Sequence, residues 1–163
     1  MQIKQTNKNV FEIKTQDIIV ELNGGVKIND TLVTSPGEYE IGGVFITGIA
    51  SGDETIFSIS SEGLNICFLS QIKKTLTKDA IDEADGVDIL FLPAGEDDTV
   101  EVKKAVNLIQ EIDPRIVIPF HMEDESEFLK AAGEGNPRRE KTFKINSGQL
   151  PSEEEREIVI LDM

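Results

Sequence analysis

The sequence is poor in residue types on which several common functions depend. It has no tryptophan, one tyrosine, one histidine and one cysteine among 163 residues. Because there is a single cysteine, no disulfide can form within the chain. Cys67 lies between Ile66 and Phe68, a setting typical of a buried and inert thiol. So few aromatic rings also leave little material for the stacking platforms of nucleic-acid binders.

Positive charge is scarce as well. Sixteen lysines and arginines stand against 31 aspartates and glutamates, which gives a formal net charge of −15. Such a field repels phosphate backbones and anionic lipid surfaces, so we expect no nucleic-acid partner and no membrane partner. No apolar run approaches the roughly 20 residues that a membrane span needs, and the first residues lack the apolar stretch of a signal peptide. These absences favour a cytoplasmic location.

Short strands and tight turns fill the first half of the chain. Asn23-Gly24-Gly25 is a hairpin signal, and Gly42-Gly43 and Glu62-Gly63 mark further turns. Partly alternating β-prone runs predict strands over 3–5, 10–14, 18–22, 26–28, 31–33, 39–41, 44–49, 55–60 and 64–69.

The second half changes to strands that alternate with helices. Apolar spacing and capping residues predict helices over 79–84, 99–112 and 125–132, the first with Thr77 as N-cap. Continuous apolar runs predict buried strands over 87–92 and 115–120, and closing strands are expected over 142–145 and 157–161. The polar residues 133–141 read as a mobile loop. Length and pattern predict one α/β (α+β) domain over residues 1–163, with stacked sheets and helices outside.

Four segments in order carry a family resemblance. They are PGEYEIGGVFITGI (36–49), GLNICFLSQ (63–71), VDILFLPAG (87–95) and DPRIVIPFH (113–121). Together they resemble the lactonase-like, zinc-dependent hydrolase branch of the metallo-β-lactamase superfamily. The resemblance implies a four-layer αββα sandwich, truncated here. It also implies a zinc pair at one edge of the sheets, where the metals activate water for attack on a carbonyl or phosphoryl group.

Most of the ligands that the resemblance implies are absent. The family's HxHxDH motif cannot be present in a chain with one histidine, and residues 26–35 are too short for its loop. Residues 50–54 cross the gap in which relatives carry another ligand histidine. Gln71 replaces a ligand aspartate, Phe68 replaces a nearby histidine, and His121 matches the one ligand that is kept. A catalytic zinc needs about three protein ligands, so the residues predict no working dinuclear site and no bound cofactor.

Two groups of residues keep alternative interpretations. His121 is a relic ligand or a general base in one interpretation and a hydrogen-bonded histidine at a strand end in the other. Acidic residues follow two buried strands, and they could hold Mg²⁺ or Ca²⁺ or simply face solvent. These residues are Glu96, Asp97, Asp98, Glu123 and Asp124.

Three functions therefore stay open. The first is a degenerate family member that acts as a binding or structural module with an unidentified protein partner. Sheet surface left bare by missing helices would favour a homo-oligomer of it. The second is a metal-dependent hydrolase with an altered site around His121, and the third is an unrelated acidic binding protein.

Overall fold

A computed structural model describes residues 1–95 and 98–163 of the chain. Five strands come first: β1 (Gln2–Asn7), β2 (Val10–Thr15), β3 (Ile18–Leu22), β4 (Val26–Ile28) and β5 (Thr31–Val33). Four more strands follow: β6 (Gly37–Ile41), β7 (Val44–Ser51), β8 (Glu54–Ser61) and β9 (Leu64–Phe68). The rest of the chain contains α1 (Lys78–Glu83), β10 (Ile89–Pro93), α2 (Val102–Ile112), β11 (Ile116–Phe120), α3 (Glu125–Ala132), β12 (Arg138–Glu140), β13 (Phe143–Lys144) and β14 (Glu157–Leu161).

A six-stranded antiparallel sheet has the order β13-β1-β2-β3-β4-β5. Its strands alternate in burial, as in β2, where Phe11 and Ile13 are buried while Glu12 and Lys14 lie on the other face. That period of two gives the sheet one face for the core and one polar face. At the turn after β3, a Cβ on Gly25 would lie 2.6 Å from the carbonyl oxygen of Val33, so the close approach there requires glycine.

An eight-stranded mixed sheet has the order β12-β14-β11-β10-β9-β8-β7-β6. The strands from β12 to β9 run parallel, and those from β9 to β6 run antiparallel. Every residue of β10 and β11 is buried. Both faces of this part of the sheet are covered, which accounts for the continuous apolar runs in those strands.

The two sheets and the helices form three layers. One apolar core lies between the sheets and includes Phe11, Phe68 and Phe120. A second core lies on the other face of the eight-stranded sheet and includes Ala80, Leu108 and Phe128 from the three helices. The expected truncated sandwich is confirmed. The described residues place no helix on the outer face of the six-stranded sheet, so the truncation removes that layer.

Most predicted elements are present with small shifts at their ends. The N-cap of α1 is Thr77, whose hydroxyl accepts a hydrogen bond of 3.3 Å from the amide of Ala80. The predicted loop over 133–141 is wrong in part, because Arg138–Glu140 forms β12 beside β14. This strand is short, polar and at a sheet edge, so it lacks the apolar alternation that identifies strands in a sequence. No helix in the described part of the chain is long and apolar enough to cross a membrane.

Candidate functional site

The predicted site residues lie at one edge of the eight-stranded sheet. Register pairs Phe68 with Phe91, and Pro93 with Phe120, so β9, β10 and β11 end at the same edge. In open sheets that contain parallel strands, ligands bind at the carboxyl ends of those strands. His121 directly follows β11, and Gln71 follows β9 after a short turn.

His121 is held by a residue of the other sheet. The amide nitrogen of Asn9, in the turn between β1 and β2, lies 3.1 Å from Nδ1 of His121. An amide NH₂ group only donates hydrogen bonds, so Nδ1 accepts this one. Nε2 is shielded from solvent. Nδ1 is thus engaged with Asn9, and Nε2 lies away from solvent, so neither ring nitrogen is open on the surface of this edge.

The backbone around this contact is unusual. His121 has φ 51° and Asn9 has φ 61°, so both lie in the left-handed region. Residues other than glycine enter that region infrequently, and the contacts around them must hold them there. The ring of His121 also lies 5.3 Å from that of Phe120, centroid to centroid. The histidine therefore joins the hairpin of one sheet to a strand end of the other.

A cavity of about 290 Å³ adjoins His121. Glu125 and Asp162 lie in its wall, so it brings the histidine near two carboxylates. Both carboxylates are already ion-paired with Arg139, Asp162 at 3.2 Å. Since the guanidinium lies between the acids, their charge is compensated before any ligand arrives.

The other two positions that the resemblance singles out do not face this cavity. Gln71 is exposed and lines a separate cavity of about 290 Å³ with Thr34 and Thr55. Phe68 is 1% exposed and belongs to the core between the sheets. Its ring lies 6.0 Å from that of Phe120 and 6.3 Å from that of Phe57. The structure thus separates Gln71 from His121 and uses position 68 for packing.

The acidic residues have other roles where they are described. Asp98 is exposed and lies 3.3 Å from the amine of Lys73. Asp124 caps α3 by accepting hydrogen bonds from the amides of Ser126 at 2.9 Å and Glu127 at 3.1 Å. The bond from the Glu127 amide is the main cause that lowers the pKa of Asp124. Glu123 is exposed beside the cap. Glu96 and Asp97 lie outside the described residues.

These residues do not fit the zinc pair that the fold implies. Within residues 1–95 and 98–163, no group of three or more histidine, cysteine or acidic side chains could hold a metal ion. Cys67 offers no thiolate at neutral pH, because complete burial raises its pKa to about 12. His121 is hydrogen-bonded to Asn9.

Asn9 is the site residue that the sequence did not reveal. It lies 112 positions from His121 along the chain. An asparagine in a turn is common because it tolerates left-handed backbone, and that local explanation conceals the long-range contact. Only the packing of one sheet on the other brings the two residues together.

Comparison with known proteins agrees with this architecture. A family profile described as the Beta-lactamase superfamily domain matches residues 5–121. A protein from Thermotoga maritima, assigned as a Zn-dependent hydrolase of the metallo-beta-lactamase superfamily, matches with a TM-score of 0.84 and 21% identity over 100% of both chains. A metallo hydrolase from Ignicoccus hospitalis matches with a TM-score of 0.61 and 12% identity, covering 89% of this chain and 99% of that one.

A third structure, from Parabacteroides distasonis and assigned as a metal-dependent hydrolase, has a TM-score of 0.53 and 14% identity. The match covers 79% of this chain and 56% of that one. No curated protein matches the sequence. At these identities the structural likenesses establish the fold alone. Since the family profile covers well over half of the chain, the protein belongs to the beta-lactamase superfamily.

Proposed function

We propose that this chain is a non-hydrolytic member of the superfamily that serves as a binding or structural module. The proposal rests on where the structure places the residues at the ligand positions of the family resemblance. Phe68 packs in the core, Gln71 lines a different cavity, and His121 is hydrogen-bonded to Asn9. Catalytic zinc needs about three protein donors per ion, and this edge supplies no such set among the described residues.

The burial of Phe68 supports a settled structural role for that position. Its ring contacts three other phenylalanines of the inter-sheet core: Phe57, Phe91 and Phe120. Removing a buried phenylalanine costs roughly 3–5 kcal/mol. A side chain with that contribution is part of the fold, and a ligand histidine in its place would put a polar ring into the core.

A metal-dependent hydrolase with an altered site is the second candidate. The cavity that joins His121 to Glu125 and Asp162 favours it. Against it, Arg139 binds both carboxylates. A cation would have to displace that guanidinium before it could use the acids as ligands.

We place the module in the cytoplasm as one domain over residues 1–163. The net charge of −15 supports partners other than nucleic acids and anionic membranes. The single cysteine fits a reducing compartment.

Hydrolysis assays separate the two candidates. Purified protein would be incubated with added Zn²⁺ or Mn²⁺ and with chromogenic phosphodiester, ester and β-lactam probes. The non-hydrolytic proposal predicts rates equal to those of the same metal in buffer. The matched control is His121→Asn, which keeps a residue that tolerates the left-handed backbone. Metal-dependent turnover that disappears in His121→Asn would establish the hydrolase instead.

A further inference from the structure

The outer face of the six-stranded sheet has a charge opposite in sign to that of the molecule. Its outward positions carry four lysines and two glutamates, a net charge of +2, on a chain of net charge −15. The acidic excess therefore lies on the other surfaces. The charged residues of this face are Lys4, Glu12, Lys14, Glu21, Lys27 and Lys144.

Strand register arranges these charges in rows. Lys4 lies opposite Glu12, Glu12 opposite Glu21, and Glu21 opposite Lys27. Like charges directly opposite each other in a sheet are destabilising. Lys4 relieves Glu12 with an ion pair of 2.9 Å. Glu21 has no ion pair with any other described residue, and Lys27 is its cross-strand neighbour on β4.

A second row lies beside the first. Lys14 is two positions from Glu12 on the same face of β2, and it lies opposite Ile19 of β3. Ile19 and Leu32, at 51% and 57% exposure, are large apolar residues left open on this face. No described helix covers either of them.

We propose that a second copy of this chain docks on this face. The two-fold axis lies between the two facing sheets, perpendicular to β2 and midway between Glu12 and Lys14. It exchanges the row of Glu12 with the row of Lys14. Lys14 of the partner subunit then lies over Glu12 and beside Glu21, and the same contact recurs by symmetry. The strands of the two faces run antiparallel and nearly aligned, which is a common packing of sheets.

Charge favours a second copy as the occupant. Two molecules of net charge −15 repel each other over most orientations. On this face the exchange of rows sets Lys14 of the partner subunit against Glu12, so the face offers both signs of charge in complementary positions. The face spans only about 400 Å² in projection, below the roughly 800 Å² per partner of a standard interface. We therefore expect a weak dimer whose assembly depends on concentration.

Sedimentation velocity over a wide concentration range, with reciprocal charge swaps, tests the dimer. Glu12→Lys and Lys14→Glu each bring like charges together across the axis and should raise the dissociation constant at least about tenfold. The double variant exchanges the two charges and should restore association to within about threefold of the original. Circular dichroism checks that each variant folds.

The controls are Lys104→Glu and Glu111→Lys on α2, which make the same changes in net charge on the helical layer. Both should leave the dissociation constant within about twofold of the original. The proposal is overturned if the chain stays monomeric at the highest concentration. It is also overturned if the charge swaps do not change the dissociation constant of the dimer. Either result leaves the proposed loss of the metal site untouched, because no residue of that edge takes part.

Discussion

At the scale of the residue, His121 contacts the other sheet and not a group of ligands. The resemblance gives this position to a metal ligand, whereas here the ring accepts a hydrogen bond from Asn9. The bond joins the turn of one sheet to a strand end of the other, and both residues hold left-handed backbone. We infer that the pair now acts as an inter-sheet clamp.

A double-mutant cycle on this pair measures the clamp. Asn9→Ala and His121→Asn should each lower the free energy of unfolding, and the double variant should lose less than the sum. The expected coupling is about 1 kcal/mol, the usual net value of a neutral hydrogen bond. Urea denaturation of the four proteins provides the values. Strictly additive losses would show that the contact contributes nothing of its own.

Glu62 gives the fold a pH dependence at the residue scale. Its carboxylate lies 2.8 Å from the Met1 amine and accepts a bond of 2.6 Å from the amide of Gln16. The hydrogen bond with the amine is the main cause that lowers the pKa of Glu62. Because the folded pKa lies below the unfolded one, this stabilisation is complete above the ordinary glutamate pKa of about 4.3. It disappears as pH falls through the folded value.

Glu62→Gln should accordingly reduce stability at pH 7 by about 1.5 kcal/mol, the lower end for a hydrogen bond to a charged group. The difference from the original protein should shrink steadily as the pH falls below about 4. Denaturation curves of an untagged chain over this pH range measure it, with Glu38→Gln as the control at an exposed glutamate. If the stability difference between Glu62→Gln and the original protein did not change with pH, the cause would be the shape of the side chain and not its charge.

At the scale of the element, Gly48 of β7 leaves room for the segment that connects one sheet to the other. A Cβ at this position of β7 would lie 2.3 Å from the carbonyl oxygen of Ser35 and 3.0 Å from Cα of Pro36. Both atoms belong to the backbone of the connection between β5 and β6. A larger residue must push that connection away from the sheet.

Gly48→Ala should therefore destabilise the fold by about 1–3 kcal/mol, the usual cost of overpacking. Gly135→Ala is the matched control, since a Cβ there meets nothing within 4 Å and its φ is not positive. Thermal unfolding of both variants makes the comparison. Equal melting temperatures for the two variants would contradict the close approach.

Sequence predicted the elements better than their assembly. Alternation identified strands such as Val10–Thr15, and Thr77 identified the start of α1, because these signals are local. The edge strand Arg138–Glu140 has no local signal, since its partner β14 supplies the hydrogen bonds. The assignment of strands to two sheets depends on long-range pairing that no local pattern encodes.

The candidate site, too, could be predicted from the sequence only in part. The residue types at positions 68, 71 and 121 could be read directly against the family resemblance. The burial of Phe68 in an aromatic cluster, the separate cavity at Gln71 and the contact of Asn9 with His121 could not. Each of them depends on how the two sheets pack, which only the folded chain determines.

At the scale of the whole molecule, the superfamily fold survives with a reduced set of layers. The two sheets still form a continuous apolar core, and the three helices still cover one face. A match over the full length of the Thermotoga maritima structure shows that this compact arrangement is shared with another protein.

The metal content of the purified protein tests the central claim most directly. The protein would be equilibrated by dialysis against excess Zn²⁺, passed over a desalting column and analysed by plasma mass spectrometry. The absence of a three-donor group among the described residues predicts less than about 0.1 tightly bound zinc per chain, because fewer than three donors hold an ion weakly. His121→Asn should give the same value. About two zinc ions per chain, reduced by that substitution, would contradict the account.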